Sequence, residues 1–217
     1  MLRAHRAVRL AAAVTALALG AAARSNDVVA GDTVEAIWRV QSLPLEYSSP
    51  YYHYACTSLE EKVGDILRAV GAHDSIAIET HCVSPGAQNQ ISLRITLATP
   101  VPATEENIRA ATTFDGKDEL LAQMRKTTLP TPENIPRFAA TWQTVSLSRQ
   151  PGLHLDAGDC DLLRHIGRQV FPKIAVRLTN TRLSCNVSAT RIQPKIKVQA
   201  LIPAPLNTVA RASPRRM

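Results

Sequence analysis

One spacing constrains this chain more than any other. Trp38 stands 18 residues before Cys56, and Trp142 stands 18 residues before Cys160. The two pairs are related by the same offset of 104 residues, and they contain the only two tryptophans of the chain. Ser42-Leu43 and Ser146-Leu147 match at that offset, as do Leu59 and Leu163. The next cysteine follows 26 residues after Cys56, at Cys82, and 25 after Cys160, at Cys185. The pattern predicts two copies of one unit, each closed by its own disulfide.

The pairing Cys56–Cys82 and Cys160–Cys185 is one of three that four cysteines allow. It lets each copy close itself, and loops of this length each contribute roughly 3 kcal/mol in the chain-entropy account. No spacing resembles a two-residue zinc knuckle, so no metal is expected at the cysteines.

Disulfides belong to an oxidising compartment, and the N-terminus points the same way. Arg3, His5, Arg6 and Arg9 form a basic segment, Leu10 to Leu19 an apolar run, and Ala21-Ala22-Ala23 a small-residue cleavage site. Residues 1–23 therefore read as a signal peptide. The run is too short to span the bilayer, and no cysteine follows it to accept a lipid. A periplasmic or secreted protein with no membrane anchor in the mature chain is expected. Without the leader, 22 Lys and Arg face 18 Asp and Glu, a charge of +4. Arg211, Arg215 and Arg216 supply much of that excess, so a basic face for nucleic acid is not expected.

Periodicity fills in the units. Residues 24–35 read as a flexible lead-in, 36–43 as a strand, and 44–54 as a loop marked by Pro44, Ser48, Ser49 and Pro50. A helix follows, opened by a Thr57/Glu60 capping box. Leu59, Val63, Ile66, Leu67 and Val70 recur on one face of it, and Gly71 ends it. Residues 75–82 and 90–98 are strands. The second alternates strictly, with Ile91, Leu93, Ile95 and Leu97 inward. The first unit, 36–99, is thus β-α-β-β.

Residues 100–139 form a helical, proline-rich connector. Pro100 and Pro102 end the preceding strand, Thr104 opens one short helix, and Asp115 caps another over 116–126 with Leu120, Leu121 and Met124 inward. The second unit, 140–203, repeats the order: strand 140–147, loop 148–158, helix 160–171 capped by Asp159, and strands 174–182 and 192–202. Residues 204–217 are a basic tail. The expected fold is α+β, two tandem β-α-β-β units forming a two-layer antiparallel sheet with helices on one face.

Two groups of residues invite a functional reading. All four tyrosines lie in one stretch, Tyr47, Tyr51, Tyr52 and Tyr54, with His53 among them. Tyrosines offer rigid amphipathic contact area, suited to protein or glycan recognition, or they cover the edge of a small core beside Cys56. The corresponding loop of the second copy carries His154, Asp156, Asp159, Asp161 and His165 instead. Such a group can ligate a metal or work as acid and base. Helix N-terminal chemistry accounts better for Asp159 and Asp161. No nucleophile elbow, zincin motif, phosphate-binding loop or dinucleotide fingerprint is present. The sequence therefore favours a non-enzymatic binding module of the bacterial periplasm without a cofactor. The candidate partners are an envelope protein or glycan. An exported hydrolase or metal-dependent enzyme built on His154, Asp156, Asp159 and His165 is the alternative.

Overall fold

The structure is a computed structural model that describes residues 32–82, 86, 88–179 and 194–205. Its elements run β1 (Thr33–Ser48), α1 (Cys56–Ala69), β2 (Ala77–His81), β3 (Gln90–Pro102), α2 (Glu105–Thr112), α3 (Gly116–Arg125), β4 (Arg137–Ser146), α4 (Asp159–Gln169), β5 (Val176–Leu178) and β6 (Lys197–Pro203). The fold is α+β, as expected. Six strands form one sheet in the order β2-β3-β1-β4-β6-β5, and every neighbouring pair is antiparallel. The order reads the same from both edges if β4, β5 and β6 stand for β1, β2 and β3. The centre of the sheet is the β1–β4 ladder, Thr33–Ile37 against Arg137–Thr141. Its middle pair is Glu35 with Ala139.

Alternation builds the main core. Ile91, Leu93, Ile95 and Leu97 of β3 are all buried, and so are Leu43, Leu45 and Tyr47 of β1 on the same face. The α1 stripe of Leu59, Val63, Ile66, Leu67 and Val70 closes over them, each 3% exposed or less. Leu162, Leu163 and Ile166 of α4 join the same cluster, with Val145 of β4 and Val198 and Ala200 of β6. A single core therefore spans both halves. Each such aliphatic side chain contributes about 1.5–3 kcal/mol by leaving water, and Ile95→Ala in β3 would cost about 2–5 kcal/mol through the void it leaves.

The expected single helical layer holds for α1 and α4 only. Ser42 and Thr96 face away from that core, and with Trp38 and Val40 they line a cavity under α2 and α3. Part of the connector thus borders the opposite face of the sheet. Ile108 and Ala111 of α2 pack on Ile37, Val101 and Ile135. Leu120 and Met124, expected inward, are 57% and 73% exposed, and only Ala122 of α3 is buried. The α3 caps form as the sequence indicates: Asp115 accepts the N–H groups of Lys117 and Asp118, and the Asp118 carboxylate returns to the Asp115 N–H.

Two prolines expected to bound strands lie inside them. Pro100 and Pro102 pair with Trp38 and Ala36, beyond the stretch where β2 covers the other edge of β3. Being two residues apart, both turn their missing N–H toward that open edge, where it costs no ladder bond. Pro44 pairs with Arg94 in the same way, so β1 runs to Ser48 and the loop shrinks to 49–55. The Thr57/Glu60 capping box does not form. Ala55 occupies the N-cap with no side-chain bond, and the Glu60 carboxylate instead accepts the Thr80 hydroxyl of β2.

Gly71 ends α1 as expected. Its φ is +92°, and the N–H groups of Gly71 and Ala72 return to the Arg68 and Leu67 carbonyls, which satisfies the helix end. Cys56 and Cys82 form a disulfide with a Cα separation of 6.6 Å. Among the described residues no cysteine is free. Cys185, the expected partner of Cys160, lies outside them, as do the leader and residues 206–217 of the basic tail. The strands expected over 174–182 and 192–202 are described except at 180–182 and 192–193, and both are shorter than expected, β5 covering Val176–Leu178 and β6 Lys197–Pro203.

Candidate functional site

The two residue groups singled out in the sequence meet in space. The loop 49–55 of the first half rests on the N-terminal turn of α4 in the second, with Lys62 of α1 beside both. Backbone bonds hold the loop from below. Tyr54 exchanges N–H···O bonds of 3.0 and 2.9 Å with Gln88, and Ser49 N–H donates to the Asn89 carbonyl at 2.9 Å. The Cys56–Cys82 bridge follows directly.

Within the stretch the tyrosines divide. Tyr47 is the last inward residue of β1 and is fully buried. Its hydroxyl donates to the Tyr52 carbonyl at 3.0 Å, and its ring meets Tyr54 edge-on at 5.2 Å. Tyr54 is half-buried, and its hydroxyl donates to the Asp159 carboxylate. The Tyr52 ring lies against Gly158, where a Cβ would approach it to 2.6 Å. Tyr51 is 67% exposed and Tyr52 40%, and His53 is exposed between them and Tyr54. The fold divides the cluster by burial. Tyr47 and Tyr54 complete the core edge, and Tyr51, Tyr52 and His53 form a solvent-facing tip.

Asp159 is the centre of the contact. Only 2% exposed, it is the first residue of α4 rather than its N-cap, which is Gly158 without a side-chain bond. One carboxylate oxygen accepts the Tyr54 hydroxyl. The other accepts the Lys62 ammonium at 3.1 Å and the Asp156 N–H at 2.6 Å. Lys62 also donates to the His154 carbonyl. A buried carboxylate needs such company, since an unpaired one would cost several kcal/mol.

Around this centre the other polar groups are also matched. Asp161 accepts the Ser49 hydroxyl at 2.7 Å and Arg164 at 2.5 Å. The Ser49 oxygen in turn accepts the N–H groups of Tyr51 and Tyr52 at 3.2 and 3.1 Å. His165 Nε2 lies 3.0 Å from the Ser48 carbonyl, and its Nδ1 lies 3.0 Å from the Gln169 amide. A carbonyl can only accept, so the ring proton sits on Nε2 and Nδ1 accepts from Gln169. Gln169 also brackets Glu46, donating to its carbonyl and accepting its N–H, both at 2.8 Å.

Burial, together with the hydrogen bond to Asp159 and the charge of that carboxylate, pushes the Tyr54 phenol well above its ordinary range. Burial also raises Tyr47, against the opposing effect of Ser49. Both phenols therefore keep their protons at neutral pH.

A general base needs a lone pair within reach of a substrate proton. Asp159 is only 2% exposed and its two oxygens already hold three donors, so a substrate has little access to it. Asp161 and His165 are engaged with the loop, the His154 side chain is exposed, and Asp156 takes part through its backbone. Among the described residues no three His, Cys, Asp or Glu side chains converge as a metal site would need. The arrangement can hold the loop and align its tip.

Lys62, Ser49 and Gln169 escaped the sequence reading. Their partners lie 92–123 residues away, and no local spacing signals a contact of that range. No family model, no curated protein and no solved structure matches this chain.

Proposed function

We propose that this chain is an exported, non-enzymatic binding module whose contact element is the Tyr51-Tyr52-His53 tip, carried on an internally duplicated, disulfide-stapled fold. The observation that carries the reading is the anchoring of the tip. Two large aromatic rings stand exposed at a point fixed by a disulfide, a β-bridge, a buried serine and a buried carboxylate. Exposed tyrosine on a rigid base loses little conformational freedom on binding, which favours recognition of a protein or glycan surface. The leader and the cysteine pairs support action in the periplasm or outside the cell.

The duplication is supported by the sheet. The offset read from Trp38/Trp142 and Cys56/Cys160 is 104 residues, and the middle pair of the central ladder, Glu35 and Ala139, is separated by the same number. A two-fold axis through that pair carries β1 onto β4 in the register that the tryptophans define. Leu59 and Leu163, matched by the offset, are both fully buried under their helices.

Photo-crosslinking tests the contact element. A photoreactive residue at position 51 or 53, in the full chain expressed with its leader in a diderm bacterium, is expected to trap one discrete partner. The same residue at position 119 on α3 is not. Crosslinking that is equal at all three positions, or absent from 51 and 53, overturns the reading of the tip. N-terminal sequencing of the recovered protein is expected to begin at Arg24; an intact Met1 overturns export.

A further inference from the structure

A second place in the molecule has the build of a ligand site, remote from the tyrosine tip. Between the outer face of the sheet and the α2–α3 connector lies a partly open cavity of about 660 Å³. That is within the size range of pockets that hold small organic molecules. Its walls are mainly apolar: Trp38 and Val40 from β1, Phe114 and Leu121 from the connector helices, and Leu129 and Ile135 from the segment before β4. Val40 is 69% exposed although it sits near the middle of a strand. Neither α2 nor α3 fills the space, since α2 buries no residue completely and α3 only Ala122.

Two charges border the cavity, and they are not equivalent. Asp118 is occupied by the α3 capping box. Arg125, at the end of the same helix, has no ion pair or hydrogen bond among the described residues. A guanidinium presents a planar fork of donors that matches a carboxylate. Neutral hydroxyls of Ser42 and Thr96 lie on the sheet side.

From the cavity's apolar walls and the Arg125 guanidinium, uncommitted among the described residues, we propose that this site binds one anionic amphiphile, a carboxylate with an extended aliphatic body. The body lies along Trp38, Val40 and Phe114, and the carboxylate is held by Arg125. The ligand would also complete the packing that α2 and α3 leave open over β1.

Fluorescence titration of the full chain with dansyl-undecanoic acid tests this, with lauric acid and lauryl alcohol as competitors. One saturable site per chain is expected, with lauric acid the better competitor. Arg125→Glu, an exposed change, is expected to weaken the acid roughly tenfold or more while leaving the alcohol unchanged, as loss of a charge-assisted bond would. Ala110→Trp, on the exposed side of α2, fills the cavity and is expected to abolish both, with an unaltered circular dichroism spectrum confirming that it folds. Absence of saturable binding overturns the proposal, whether another part of this chain or a second copy occupies the space. Binding that is indifferent to both substitutions, or equal for acid and alcohol, overturns it as well.

Discussion

Asp159→Ala is the most informative single change in this molecule. The carboxylate is 2% exposed and accepts three donors, two of them from the first half of the chain. Removing it leaves the Tyr54 hydroxyl and the Lys62 ammonium without their acceptor. Truncating one partner of a buried pair costs about 3–5 kcal/mol. The Lys62 side chain is 20% exposed and keeps the His154 carbonyl, so the lower end applies, about 3 kcal/mol. For a chain of this size the midpoint of thermal unfolding falls by about 2–4 °C per kcal/mol, giving a drop of roughly 6–12 °C. Tyr54→Phe removes one donor and leaves Asp159 two, so about 1.5 kcal/mol is expected. The double variant should cost less than the two singles together by about 1 kcal/mol, because both break the same bond. Urea unfolding of the oxidised protein, followed by circular dichroism, measures all three. A loss under about 0.5 kcal/mol for Asp159→Ala, the range of ordinary surface changes, refutes the account of Asp159 as the joint between the halves. Strict additivity refutes the Tyr54–Asp159 bond.

The remaining expectations use the same fold. Tyr54 and Tyr47 hold their protons more tightly folded than unfolded, so stability is full below about pH 10 and falls above it as the unfolded phenols ionise, by about 1.4 kcal/mol per pH unit for each phenol; Tyr54→Phe should remove one late-titrating phenol from an ultraviolet titration and make the alkaline loss shallower. Replacing Cys56 and Cys82 together by alanine opens a loop of 26-residue separation and should cost about 3 kcal/mol in urea unfolding; an unchanged midpoint would contradict the bridge. Gly71→Ala should cost at least about 2 kcal/mol, since φ is positive there and the new Cβ would meet the Leu201 carbonyl oxygen at 2.8 Å. Gly152→Ala, at φ +80° with open space around it, should cost only about 1 kcal/mol. Equal losses at the two glycines, measured by thermal melting, would remove the steric part of that argument.

The parts of this fold that rest on local periodicity were legible before any coordinates. Ile91, Leu93, Ile95 and Leu97 alternate because one face of β3 is core, and the stripe from Leu59 to Val70 recurs every three or four residues because one face of α1 is core. Gly71 and Asp115 announce helix ends through short-range chemistry. What failed was whatever a distant partner decides. Pro44, Pro100 and Pro102 look like strand breakers until it is known that each faces an open edge. Leu120 and Met124 look like core until it is known that α3 stands off the sheet. Thr57 and Glu60 have the spacing of a capping box, but β2 places Thr80 beside the Glu60 carboxylate and takes it. The candidate site shows the same divide. Composition located the tyrosines, but only the fold separates Tyr47 and Tyr54, which hold the loop, from Tyr51 and Tyr52, which face solvent. The acidic cluster was visible; its role as an anchor depends on Lys62 and Ser49, which sit on other elements.

Gln169 carries a further consequence. β4 leaves β1 after Ile37, yet β1 continues for eleven more residues, and among the described residues no strand pairs with its outer N–H and C=O groups on that side. The Gln169 amide stands in for a strand at Glu46, and His165 covers the Ser48 carbonyl. An alternating apolar strand with a bare edge is a template for fibril growth. A fragment that ends before α4, or a Gln169→Ala chain, should seed thioflavin-positive aggregates that the intact protein does not, and proteolysis in the loop before α4 would turn a stable molecule into an amyloidogenic one.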